Sequence, residues 1–206
     1  MHQILCFGDS NTWGLRPEGG RYPLHERWTG ILQQELGYDR VHVVEEGLCG
    51  RTTIFEDELR PRRCGMGVIP MVLESHSPIQ ISILMLGTND CKSYFGASAR
   101  QIGEGMERIV NLIKAFDPGI RILLISPIHL GERVFEEGFD REFNRESVAK
   151  SRELKKVYGE IASRLGVEFL AASDYVSPSA VDMEHLDKES HRILAEAIRE
   201  KVSEML

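Results

Sequence analysis

A doubly wound, flavodoxin-like α/β domain with a five-stranded parallel sheet and helices on both faces is the fold this sequence predicts. Three features carry that expectation. Short, near-continuously apolar runs alternate with stretches of helical periodicity. Glycine-led polar turns follow two of the runs directly. The length, 206 residues, suits one domain spanning the whole chain, 1–206.

The strand candidates are residues 3–7, 41–45, 81–86, 121–126 and 167–171. Runs such as Ile81-Ser82-Ile83-Leu84-Met85-Leu86 suit strands covered on both faces. Between them, Trp28, Ile31, Leu32 and Leu36 share one helical face. Ile102, Met106, Ile109, Val110 and Ile113 form another stripe, opened by a Ser98-x-x-Gln101 capping box. Leu154, Val157, Tyr158, Ile161 and Leu165 mark a third helix. A last one, about 188–205, gathers Ile193, Leu194, Ala197, Ile198 and Val202 behind Asp187 as N-cap. The segment Ile128 to Asp140 has neither period. It reads either as a cover over the site or as a simple loop.

Composition narrows the function classes. Hydrophobic residues make up 42% and charged residues 28%, enough apolar material for one sizeable core. A net charge of −7 argues against a nucleic-acid surface, which needs clustered Lys and Arg. Arg60, Arg62 and Arg63 form one dense basic cluster, but Glu56, Asp57 and Glu58 precede it, so it reads as a solvated loop. No apolar run approaches the roughly 18 residues of a membrane span, and Met1-His2-Gln3 does not open a signal peptide. Cys6, Cys49, Cys64 and Cys91 are scattered without metal-ligand spacing, so no metal is expected and reduced thiols in a cytoplasmic protein are the simpler reading.

Three polar stretches carry the chemistry. Gly8-Asp9-Ser10 ends the first apolar run, Gly87-Thr88-Asn89-Asp90 ends the third, and Asp182-Met183-Glu184-His185 precedes the last helix. In a doubly wound sheet ligands bind beyond the carboxyl ends of the strands, where the first two stretches fall. Ser10 supplies a hydroxyl nucleophile and His185 the base. Asp182, three residues earlier, can orient the imidazole, and Asn89 offers an amide to a developing oxyanion. Each stretch also has an ordinary reading as a turn or helix cap. Cys49 and Cys91 lie near these residues but lack a partner histidine close in sequence.

With these residues assembled, the chain resembles an SGNH (GDSL-type) hydrolase along its length. Gly8-Asp9-Ser10-Asn11-Thr12 resembles the block carrying the nucleophile, and Gly47-Leu48-Cys49-Gly50-Arg51-Thr52-Thr53 the second block. The resemblance implies that Gly50 gives a backbone N–H to the oxyanion hole, beside Ser10 and Asn89. Cys49-Gly50 departs from the serine and alanine expected there, a change a backbone donor tolerates. Asp182-Met183-Glu184-His185 resembles the block with the remaining triad members. Asp9 to Gly14, Arg27-Trp28-Thr29-Gly30, Glu45-Glu46-Gly47-Leu48 and Leu86 to Asp90 look like the bacterial arylesterase/acyltransferase branch. That branch implies a serine esterase acting on short-chain or aryl esters through an acyl-enzyme, some members passing the acyl group to alcohols or peroxide. It implies no cofactor and a small-molecule ester as partner.

Trp13, Tyr94 and Phe95, close in sequence to Ser10 and Asn89, are expected to wall a small acyl pocket. Val134, Phe135 and Phe139 lie in the irregular segment with no period to bury them in their own core; they either mark an interface, from which a homo-oligomer is expected, or fold down over the crevice of their own subunit. A carbohydrate O-deacetylase would use the same triad. A flavodoxin-like phosphate or nucleotide binder would place Gly8, Ser10 and Thr12 around a phosphate, but GxGxxG and GxxxxGK[ST] are missing. A metal-dependent phosphohydrolase would need Asp9, Asp90 and Asp182 to converge.

Overall fold

The computed structural model describes residues 1–206. Its strands are β1 (His2–Gly8), β2 (Val41–Gly47), β3 (Ile81–Met85), β4 (Arg121–Ser126) and β5 (Glu168–Ala171). They pair in the order β2-β1-β3-β4-β5, every neighbour parallel. The order reverses beside β1, so the switch point of the doubly wound sheet lies between β1 and β3. The helices are α1 (Ser10–Trp13), α2 (Trp28–Leu36), α3 (Gly65–His76), α4 (Ala99–Phe116), α5 (Arg145–Leu165) and α6 (Lys188–Met205).

Strand periodicity divides the core. Ile4, Cys6, Ile81, Ile83, Leu123 and Ile125 face one layer, with Trp28 and Leu32 of α2 and Leu194 and Ile198 of α6. Leu5, Phe7, Leu84, Ile122 and Leu124 face the other, under α3, α4 and α5. Because both faces are covered, the central strands carry apolar residues at successive positions. The Ser98–Gln101 capping box opens α4, and the Asp187 carboxylate caps α6 by accepting from the Ser190 N–H.

The periodicity reading misses α3. Gly65, Gly67 and Pro70 lower its propensity, yet Ile69, Val72 and Leu73 pack fully against the sheet. Tertiary burial overrides the local signal there.

The segment after β4 follows the cover reading rather than the interface one. Val134 is fully buried in the layer beneath α4 and α5, and Phe135 packs against that layer. A turn from the Val134 N–H to the Gly131 carbonyl folds the segment down onto its own chain. The apolar ground for an oligomer interface at Val134 and Phe135 is therefore removed. Phe139 remains half-buried in a groove described below. No helix is long and apolar enough to cross a membrane.

Candidate active site

The site is built at the carboxyl edge of three neighbouring strands. Gly8 ends β1 in register with Gly47 of β2 and Met85 of β3, so the turns that follow emerge side by side. Gly8 has to be small. A Cβ there would lie 2.0 Å from the Thr12 hydroxyl and 2.8 Å from the Met85 carbonyl. The chain then enters the single turn of α1, where the Asp9 carboxylate accepts from the Asn11 N–H at 3.0 Å. Ser10, the first residue of that turn, is 3% exposed.

The loop before α6 meets it from the far end of the sequence. The Ser10 hydroxyl lies 2.9 Å from His185 Nε2, and His185 Nδ1 lies 2.6 Å from Asp182 Oδ2. Asp182 Oδ1 accepts from the backbone N–H groups of Glu184 and His185, both at 3.0 Å. Met183 adopts a left-handed φ of 65°, which closes the turn tightly enough for one carboxylate to take all three donors. The strap after β4 covers this turn, and a Cβ on Gly131 would sit 3.2 Å from the Met183 Cα. Asn11 locks the two loops together. Its side chain accepts from the Leu186 N–H at 2.9 Å and donates to the Glu184 carbonyl at 3.4 Å.

Burial alone would raise the Asp182 carboxyl, but hydrogen bonds from the His185 ring and backbone outweigh it and hold it below its ordinary value. Burial alone would lower His185. The Asp182 hydrogen bond and the charges of Glu184 and Asp182 reverse that, leaving the imidazole raised. The ring is thus set to accept a proton, with a carboxylate in place to hold the imidazolium.

The remaining turns supply donors. Gly50 sits at a φ of 82°, and neither its N–H nor that of Ser10 is taken by another protein atom. Asn89 Nδ2 donates one hydrogen to the Arg51 carbonyl at 3.1 Å, which places its amide beside the Gly50 turn. Asp90 accepts from the Thr53 N–H at 2.9 Å and from the Thr53 hydroxyl, tying the second and third turns. Burial pushes the Asp90 carboxyl up to about 6 and that of Asp9 up to about 7. Arg51, nearly buried, donates to the Gly8 and Glu46 carbonyls and lies over the Phe7 ring. Burial lowers it to about 10. Asp90, Thr53 and Arg51 sit inside the motifs, but no local pattern marks them as ties between turns.

Beside His185 lies an open groove of about 500 Å³. Leu15, Arg16, Phe139, Asp140, Glu184 and His185 are among its walls. Trp13, Tyr94 and Phe95, expected as pocket walls, do not line it. The Arg21 guanidinium covers the Trp13 ring at 5.0 Å. Tyr94 hydrogen-bonds Asp57 at 3.1 Å in the adjoining groove, and Phe95 stacks on Phe55 at 5.4 Å. Sequence proximity to Ser10 and Asn89 fixed where these backbones run but not where the rings turn. Asp9, Asp90 and Asp182 are each engaged separately, and no three His, Cys, Asp or Glu side chains are grouped to hold a metal ion. Burial raises the thiols of Cys49 and Cys91, so neither is a ready thiolate.

Comparison with known proteins places the chain in a family. The model of the GDSL-like lipase/acylhydrolase family matches residues 6–193. A carbohydrate acetylesterase from Sinorhizobium meliloti is 36% identical over all of both chains, with a TM-score of 0.89. An aryl esterase from M. smegmatis is 35% identical, again over all of both chains, with a TM-score of 0.87. A lipase/acylhydrolase from Enterococcus faecalis shares the fold at 17% identity, with a TM-score of 0.73 over 99% of this chain and 96% of its own. No curated protein matches the chain. The chain belongs to the GDSL-like lipase/acylhydrolase family, as an SGNH-type carboxylic ester hydrolase.

Proposed function

We propose that this protein hydrolyses short-chain acyl or aryl esters through an acyl-enzyme on Ser10, and that alcohols can replace water as the acceptor. The observation that carries the proposal is the continuous hydrogen-bonded chain from Ser10 through His185 to Asp182, at 2.9 and 2.6 Å.

Ser10 Oγ attacks the ester carbonyl as His185 Nε2 takes its proton. Asp182 holds the ring by its Nδ1–H and stabilises the imidazolium. The N–H groups of Ser10 and Gly50 and the second Asn89 amide hydrogen receive the oxyanion. A donor of this kind is worth about 2.7–4 kcal/mol in the transition state. His185 then protonates the leaving alcohol. In the second half-reaction it activates water, which releases the acid and restores Ser10.

The near-burial of Ser10 and His185 supports small acyl groups, since a nucleophile only 3% exposed admits little bulk before the groove opens. A sugar ester is a second reading, favoured by the 36% identity to a carbohydrate acetylesterase and by the polar groove wall of Arg16, Asp140 and Glu184. Four free cysteines suit the cytoplasmic location read from the sequence. The test is a p-nitrophenyl ester panel from acetate to palmitate with an acetylated sugar beside it, run on the native protein and Ser10→Ala. Acetate and butyrate turnover far above laurate, abolished by Ser10→Ala, is the expected result. Equal turnover of long chains would refute the short-acyl reading, and near-native Ser10→Ala activity would refute the nucleophile.

A further inference from the structure

Glu184 has no part in the mechanism above, yet it stands beside the atom through which every proton passes. Its Oε1 lies 3.8 Å from His185 Nε2, the same nitrogen that faces Ser10. The residue is 8% exposed, and its carboxylate oxygens take no hydrogen bond from any protein donor, although its backbone N–H and carbonyl are both engaged. It lines the groove at His185. Its oxygens keep contact with the open groove, so the donor that the protein does not give them can come from a water molecule there. Burial does raise its carboxyl, while the nearby His185 and Lys92 pull the other way.

The missing donor arrives with the second half-reaction. Water attacking an acyl-Ser10 must place its oxygen about 2.8 Å from His185 Nε2, to which it gives one proton. A water at that distance from both Nε2 and Glu184 Oε1 subtends an angle of about 85° at its oxygen, within bending range of its own two O–H bonds. One hydrogen then points at the base and the other at Glu184. An alcohol in the same place has a single hydrogen, which the base takes, so Glu184 gives it nothing.

We infer that Glu184 is a positioning residue for the deacylating water and biases the acyl-enzyme toward hydrolysis over transfer to alcohols. Glu184 only accepts a hydrogen bond. The proton lost by water goes to His185 Nε2, the new C–O bond forms from the water oxygen, and the bond from the acyl carbon to Ser10 Oγ breaks as His185 returns that proton to it. The leaving alcohol of the first half-reaction passes the same nitrogen with no second hydrogen to offer, so acylation proceeds without Glu184. This inference rests on the acyl-enzyme reading.

The experiment compares native protein, Glu184→Met and Glu184→Gln with p-nitrophenyl acetate, alone and with added 1-butanol. For Glu184→Met, kcat for hydrolysis falls about tenfold while kcat/KM, which reports acylation, stays within about twofold. An acetylated Ser10 peptide accumulates by mass spectrometry, and the ratio of butyl acetate to acetate rises several-fold. Glu184→Gln keeps an acceptor oxygen and recovers part of kcat. A parallel fall of kcat and kcat/KM would mean that Glu184 acts through the charge of His185 in both steps, and would overturn the inference. So would an unchanged product ratio. If a slow Glu184→Met enzyme carried no acetyl on Ser10, the acyl-enzyme reading itself would fall. Normal acyl-Ser10 turnover in both variants would sink the Glu184 role alone.

Discussion

The two sides of the crevice are held by different physics. On one side, the turns after β1, β2 and β3 are bound by buried hydrogen bonds: Asp90 to Thr53, Asn11 to Leu186, Asn89 to the Arg51 carbonyl, and Arg51 to Gly8. On the other, the strap after β4 rests on Val134 as an apolar plug and on Glu142. That carboxylate receives Lys92 Nζ and, at 2.7 Å, Arg60 Nη2. Bonds closed off from water fix atoms within tenths of an ångström, which oxyanion stabilisation requires. The strap meets the Met183 turn where the Gly131 N–H donates to the Met183 carbonyl at 2.8 Å; beyond that point a partly exposed ion pair holds it, so its outer part can differ in sequence and position without disturbing those atoms. The proposed nucleophile and oxyanion donors belong to the first side, and the shape of the groove to the second.

The sharpest way to break that division is at the locked side. Ser10→Ala and His185→Ala should each lower kcat by about 10³-fold or more, and the double variant should be little worse than either, because the groups act as one unit. Independent, multiplying losses would mean that the two residues do not share a step.

Asp182→Asn comes next, with a fall in kcat of about 10²–10⁴-fold. Its pH profile sharpens the point. In the proposed mechanism activity requires neutral His185, and the raised imidazole places the acid limb above that of a free ring, ordinarily about 6.5. Removing the Asp182 charge should move the limb to lower pH. A limb that stays put while kcat falls would assign the profile to another group.

The strap should respond differently. Glu142→Gln leaves the fully buried Lys92 with a weaker partner and should cost about 1–3 kcal/mol in urea unfolding. It should raise KM several-fold with kcat within about twofold. A fall in kcat at unchanged KM would show that the strap reaches the chemistry after all.

The smallest effect concerns the seam between α2 and α6. Burial lowers His191 to about 4, and its Nδ1 faces the Trp28 N–H at 3.3 Å. In the unfolded chain the ring titrates near its ordinary value of about 6.5, so acid protonates the unfolded state first. The stability it contributes is whole above pH about 6.5 and drains as pH falls toward 4, by about 2 kcal/mol at pH 5. His191→Gln should flatten the pH dependence by that amount. Asp9 and Asp90, raised by burial, slope the opposite way in both proteins, so the comparison cancels them.

The five strands and the helices α2, α4, α5 and α6 were legible because burial on two faces imposes a period on the sequence that needs no partner to be read. So were the candidate site residues Ser10, Asn89, Asp182 and His185, because each stands where a strand or loop meets the sheet edge. Arg27, Thr29 and Glu45 were legible only as part of a resemblance. In the structure Arg27 grips Glu45 through two hydrogen bonds, at 2.6 and 2.5 Å, and Thr29 joins them, a support for β2 rather than a site. The residues whose place the sequence left open share one property: their role depends on what stands opposite. Trp13, Tyr94 and Phe95 carry no sign in their spacing of where their rings turn. Val134 shows its purpose only beneath α4 and α5. Glu184 is one acidic residue among many until the tight turn at Met183 sets it 3.8 Å from His185 Nε2. Backbone periodicity and local turn chemistry are properties of neighbours in sequence, so the sequence alone determined the sheet, every long helix except α3 and the candidate reacting groups. Side-chain partners tens of residues away are fixed only when the layers pack, so the tertiary structure decided what walls the groove, what ties its turns and what faces the base.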